Sequence, residues 1–169
     1  MRRLADQEKG SEVRTPCICR KLERAARNMN TQKGRLSVRP IFHLSIPVRD
    51  LSEAVDFYRS QIGAEIGRRT DDFVDALLFG AQVTLQNDPT SVTAPMPRTR
   101  HFGATISWDA WESISARLRG GPLIVEPPTL SYLGEPTEQG KLMIKDPSGN
   151  LIEIKAYRQP DKVLGSLAH

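Results

Sequence analysis

An internal repeat constrains this chain more than any other feature. The order strand, helix, strand, strand, strand is read twice between residues 40 and 158. In the first copy IFHLSIPV (41–48) alternates, with Phe42, Leu44 and Ile46 on one face and His43 and Ser45 on the other, as in a half-buried strand. Asp50 then starts a helix with Glu53 as its capping-box partner. Leu51, Ala54, Val55, Tyr58 and Ile62 form the apolar stripe, and Gly63 is the stop. Short strands follow at 64–70, roughly 72–79, and 81–87. In the second copy HFGATIS (101–107) alternates again, with His101, Gly103 and Thr105 opposite Phe102, Ala104 and Ile106. Asp109 is the expected cap of a second helix, lined by Trp108, Trp111, Ile114 and Leu118 and ended by Gly120-Gly121. Strands at 122–127, 140–146 and 150–157 complete the copy, the last two joined by the turn DPSGN (146–150).

The two copies align. His43 and His101 match across 58 residues, and Thr84 and Glu153 match across 69. The second copy is thus about eleven residues longer, which the loop 129–140 absorbs. Each copy buries one helix on a four-stranded sheet, so the expected class is α+β, built from two βαβββ modules. Module one spans 40–88, a proline-bearing linker 89–100, module two 101–158, and a tail 159–169.

Charge divides the chain differently. Residues 1–39 hold 11 Lys/Arg against 4 Asp/Glu, whereas 40–169 hold 13 against 16. The basic balance therefore belongs to the N-terminal segment, which reads as a disordered extension. An alternative start at Met29 and an Arg-rich organelle-targeting segment are the other readings of that stretch. The mildly acidic remainder has no basic stripe, which argues against a nucleic-acid partner. No apolar run nears the ~18 residues of a membrane span, and no secretory h-region opens the chain. A cytoplasmic protein is expected. Cys17 and Cys19 cannot staple the domain and have no second ligand pair nearby, so they read as reduced thiols.

Chemistry is expected on the strand faces turned away from the helices. His43 and Ser45 share one such face, His101 and Thr105 another, and Leu151, Glu153 and Lys155 a third. Apart from His169 at the chain end, every histidine lies on such a face. If the modules pack as a pseudo-dimer, His43, His101 and Glu153 make a two-histidine, one-carboxylate metal site with positions open for substrate or O₂. The plainer alternative is a set of isolated polar residues lining a polar cavity.

The segments HLSIPVRDLSEAVDFYRSQIGAE (43–65) and DPSGNLIEIKAY (146–157) resemble the vicinal oxygen chelate superfamily. That group holds glyoxalases, extradiol dioxygenases, epimerases, fosfomycin-resistance thiol transferases and bleomycin-resistance proteins. The resemblance covers about residues 40–158. It implies paired βαβββ modules, a mixed sheet curled around the site, and a small substrate chelated to a divalent metal through vicinal oxygens. Its ligand positions fall on His43, His101 and Glu153. The carboxylate that also serves glyoxalases as base falls on Thr84, which cannot play that part. The extra active-site histidine of the extradiol dioxygenases has no counterpart except His169.

LFGAQVTL, WDAW, GEPTEQ and DPSGNLIEIKAYR most resemble a dioxygenase-like subgroup. The expectation is a dioxygenase-like enzyme using Fe(II), with Mn, Zn, Ni or Co as alternatives, and forming a homodimer. Glyoxalase or epimerase chemistry, thiol transfer and non-catalytic small-molecule binding are the competing readings. Lys141 and Thr84 are the catalytic candidates. Gln82, Gln86, Glu138 and Gln139 are candidates for substrate binding, with Glu135 beside them in the long loop. Tyr58 and Tyr132 are possible phenol donors, although Tyr58 lies on the helical stripe and fits the core better. Trp108 and Trp111 read as core or dimer contacts.

Overall fold

The structure is a computed structural model that describes residues 40–92 and 96–168. The readings of residues 1–39, including Cys17, Cys19 and Met29, and of His169 fall outside the described residues. Module one contains β1 (Phe42–Val48), α1 (Leu51–Phe57), β2 (Glu65–Arg69), β3 (Phe73–Leu78) and β4 (Ala81–Asn87). Module two contains β5 (Phe102–Thr105), α2 (Trp108–Leu118), β6 (Ile124–Ser131), β7 (Gln139–Lys145) and β8 (Leu151–Tyr157). The sheets run β1-β4-β3-β2 and β5-β8-β7-β6, the same order in each module.

The repeat extends to the register. In each module the first and last strands pair in parallel, Ser45 opposite Thr84 and Gly103 opposite Glu153. These pairs differ by the same 58 and 69 residues that separate the two histidines and the Thr84/Glu153 positions.

Alternation places the core. Ile46, Val48, Val83 and Leu85 turn toward α1, where Ala54, Phe57 and Tyr58 meet them. Ile152, Ile154, Leu142 and Ile144 turn toward Trp108, Trp111 and Leu118 of α2. The two indoles lie 5.5 Å apart within this core, and Tyr58 is fully buried. Gly140 is what lets Trp111 reach the sheet: a Cβ at residue 140 would sit 2.8 Å from the indole ring.

Asp50 caps α1, its carboxylate accepting the Glu53 amide at 2.8 Å. The helix widens into a π-turn over Tyr58–Ile62 and stops at Gly63 (φ 83°). The cap of α2 is Ser107, which accepts the Ala110 amide, so the expected Asp109 cap is displaced by two residues. β6 continues through Pro127-Pro128 to Ser131, further than the expected end at residue 127. An edge strand tolerates proline because its outward N–H groups need no partner. A short helix, α3 (Pro160–Leu164), follows β8.

The DPSGN turn connects the modules. Ser148 Oγ accepts the Arg49 amide at 2.9 Å, and Asn150 donates to the Pro47 carbonyl at 3.0 Å. Tyr58 Oη donates to buried Asp146 at 3.2 Å. Burial pushes the Asp146 carboxyl up, and hydrogen bonds from Asn150, Tyr58 and Ser148 only partly oppose it. Burial and the adjacent Asp146 charge push the Tyr58 phenol well above its ordinary value. A phenol so held keeps its proton, so Tyr58 is a core hydrogen-bond donor.

Candidate metal and substrate site

On the module-two face, Glu153 projects from β8 opposite the apolar side defined by Ile152 and Ile154. His101 immediately precedes β5 rather than lying within it. Gly103 holds these strands together, because a Cβ there would overlap the Glu153 carbonyl. His101 Nε2 stands 3.4 Å from Glu153 Oε2. Its Nδ1 lies 2.8 Å from the Arg98 carbonyl. A carbonyl only accepts, so Nδ1 carries the hydrogen, and in the neutral ring the Nε2 lone pair faces the carboxylate. Nε2 and the Glu153 carboxylate are thus the two groups that would ligate a cation placed between them.

Lys155 Nζ, 2.7 Å from the same carboxylate oxygen, supplies positive charge there. Lys141 lies opposite Lys155 in the β7–β8 register and 3.9 Å from Glu126, which also pairs with Arg98. The face lines an open depression of about 280 Å³ bordered by His101, Phe102, Gly103, Thr105, Glu153 and Lys155. A second cavity of about 390 Å³ shares His101 and Phe102 and adds Leu44, Ile46, Arg100 and Ser148.

The module-one face is built differently. His43 is exposed on β1, in register with Gln82. Thr84 is buried, and its hydroxyl donates to Asp75 Oδ1 at 2.7 Å. Arg68 Nε donates to Asp75 Oδ2 at 2.8 Å. Burial pushes the Asp75 carboxyl up. Hydrogen bonds from Thr84, Arg68 and Gln82, with the Arg68 charge, outweigh that and hold it below the usual carboxylate range. Gln86 donates to Ser45 at 3.2 Å.

Among the described residues no three His, Cys, Asp or Glu side chains converge on a point where a metal could sit. The chain brings His101 and Glu153 together and does not bring His43 to them. Glu138 braces the β6–β7 loop, accepting the Gly134 amide and pairing with Arg158. Gln139 opens β7 between Ser131 and Tyr157, and Glu135 takes part in loop turns. Tyr132 is exposed and has a positive φ of 57°. Sequence reasoning missed Asp75 and Arg68. The strand pattern places Asp75 on the site face, but the signal for Arg68 is a break in alternation that only pairing reveals.

A family model described as the Glyoxalase/Bleomycin resistance protein/Dioxygenase superfamily matches residues 41–154. The chain belongs to this superfamily. The match takes in both modules except the last residues of β8. The virulence protein STM3117 of Salmonella typhimurium is 31% identical over 123 residues, covering 69% of this chain and 83% of that protein. A glyoxalase/bleomycin resistance protein/dioxygenase from Alicyclobacillus acidocaldarius superposes with TM-score 0.65 at 28% identity, over 75% of this chain and 96% of that one. The fosfomycin resistance protein FosX of Listeria monocytogenes shares the fold, with TM-score 0.60 at 15% identity over 75% and 99% of the two chains. The superfamily includes many enzymes, and its members commonly use divalent metals. Among the described residues, no helix is long and apolar enough to cross a membrane.

Proposed function

We propose that this superfamily member is a divalent-metal-dependent, dioxygenase-like enzyme acting on a small substrate with two adjacent oxygens, with His43, His101 and Glu153 as ligands. The observation that carries the reading is the tautomer imposed on His101: the Arg98 carbonyl holds Nδ1–H and leaves Nε2 directed at Glu153. A divalent ion supplies Lewis acidity to the substrate oxygens, and Fe(II), favoured over Mn, Zn, Ni and Co, adds reactivity toward O₂. Lys155 orients the Glu153 carboxylate, and both line the open depression beside His101 that would receive the substrate.

The third ligand is the exposed His43 of a second copy, in a homodimer that lays module one of one chain against module two of the other. Glyoxalase-type base catalysis at Thr84 is disfavoured, because its hydroxyl is committed to Asp75. Lys141, held beside Glu126, is the nearer candidate for neutralising a substrate anion.

Elemental analysis before and after anaerobic loading with Fe(II) tests the reading. Near-stoichiometric iron, lost in His101→Ala and Glu153→Ala, followed by O₂ uptake with catecholic substrates, is the expected result. Preference for another metal moves the reaction toward isomerase, lyase or thiol-transfer chemistry. No tight metal under either condition overturns the enzyme reading in favour of small-molecule binding.

A further inference from the structure

Module one spends three residues on placing an arginine. Asp75 is 2% exposed. Its carboxylate accepts from Thr84 and Arg68 and from the Gln82 side chain. Taking a carboxylate out of water is costly, and an ion pair only partly repays it. Such an arrangement is weak evidence of stability and stronger evidence of fixed position.

Arg68 reaches Asp75 against the strand pattern. Ile66 pairs with Ala76 and packs on the core. Two residues further, regular alternation would aim residue 68 at that same apolar side. Instead β2 carries one extra residue: Ile66 pairs with Ala76, but Arg69 pairs with Val74. This bulge turns Arg68 to the opposite face, the one that carries Asp75 and Thr84.

Phe73 supports the guanidinium, with its ring 5.4 Å from the central carbon. Asp75 engages Nε, so the outer edge formed by the two Nη nitrogens is not the edge bonded to it. The Arg68 side chain is nevertheless 71% exposed. A guanidinium clamped on one edge, backed by a ring and open to solvent is pre-organised for a second acceptor pair.

We propose that Arg68, fixed by Asp75 and Phe73, is the receptor for an anionic oxygen group, carboxylate or phosphate, on the substrate of this site. The proposal rests on the site face described under the proposed function, since His43, Ser45, Gln82 and Thr84 share that face. The sheet order puts β3, which holds the guanidinium, two strands from β1, which carries His43. Two strand steps of about 4.8 Å, with two residues of about 3.4 Å along the strand because Asp75 is level with Ser45, give a separation of roughly 12 Å. That spans a small molecule with chelating oxygens at one end and an acid group at the other.

Titration of metal-free full-length protein with inorganic phosphate, and separately with acetate, followed by calorimetry or amide shifts, tests this. Wild-type protein is expected to bind one of the two, and the tighter names the group. Arg68→Gln is expected to weaken that binding at least ~10-fold, and Arg68→Lys several-fold, because a point charge replaces the planar fork. Circular dichroism checks that each variant is folded; Arg68→Lys keeps a counter-charge for the buried Asp75 and carries the test if Arg68→Gln does not fold. Asp75→Asn is expected to weaken binding less, by loosening Arg68.

Unchanged binding in Arg68→Gln, or no binding of either anion by wild type at about 50 mM, overturns the proposal. Anion binding that depends on Arg68 in a protein that never takes up metal removes the enzyme reading and leaves the receptor standing.

Discussion

Two buried carboxylates with opposite environments give individual residues measurable consequences. Asp75 is held below its ordinary pKa, so the folded state binds fewer protons than the unfolded chain in the window below about pH 4. Its contribution is present above the unfolded value and lost as pH falls through the folded one. Asp146 is raised, so acidification relieves its burial cost instead. Denaturant titrations below pH 5 are expected to show a shallower acid loss in Asp75→Asn and a steeper one in Asp146→Asn than in the wild-type protein. Tyr58→Phe removes the donor that joins α1 to the DPSGN turn. At neutral pH it is expected to cost about 1 kcal/mol in the denaturant midpoint.

At the scale of elements, the parallel contact between β5 and β8 decides whether His101 meets Glu153. Gly103 allows it, because any Cβ there meets the backbone of Glu153 rather than a side chain that could move aside. Gly103→Ala is therefore expected to cost at least ~2 kcal/mol in thermal or chemical unfolding. It is also expected to reduce bound metal at temperatures where the protein remains folded. Gly140→Ala presses on the Trp111 ring instead. Its expected outcome is a loss of ~1–3 kcal/mol and a changed tryptophan emission, with bound metal unaltered. If both glycine variants lose metal equally, the special role of the β5–β8 contact fails.

For the whole molecule, the dividing line is between proposed ligands that one chain brings together, His101 and Glu153, and the proposed ligand it keeps apart from them, His43. Mixing equal amounts of His43→Ala and Glu153→Ala subunits under exchange conditions is expected to restore one of the two sites in each heterodimer; with about half of the dimers mixed, that is about a quarter of the wild-type metal. Recovery of none, with mixed dimers shown to form, would remove the shared site. Truncation of residues 1–39 is expected to leave the thermal transition and metal content unchanged, since the family match begins at residue 41.

Much of this molecule was legible in the sequence because period-two alternation and helical stripes are local signals. The two modules, the side of each strand that carries His43 and Glu153, the burial of Tyr58 and both tryptophans, and the turn at DPSGN all follow from spacing. The repeat offsets agree with the observed register, Ser45 with Thr84 and Gly103 with Glu153, but which strands pair came from the structure. Tertiary structure alone decided the rest. The bulge in β2 depends on pairing with β3, so no alternation rule could turn Arg68 toward Asp75. The tautomer of His101 depends on an Arg98 carbonyl presented by the linker. The distance from His43 to His101 and Glu153 depends on how separate sheets meet, and that is set by contacts between residues far apart in the chain.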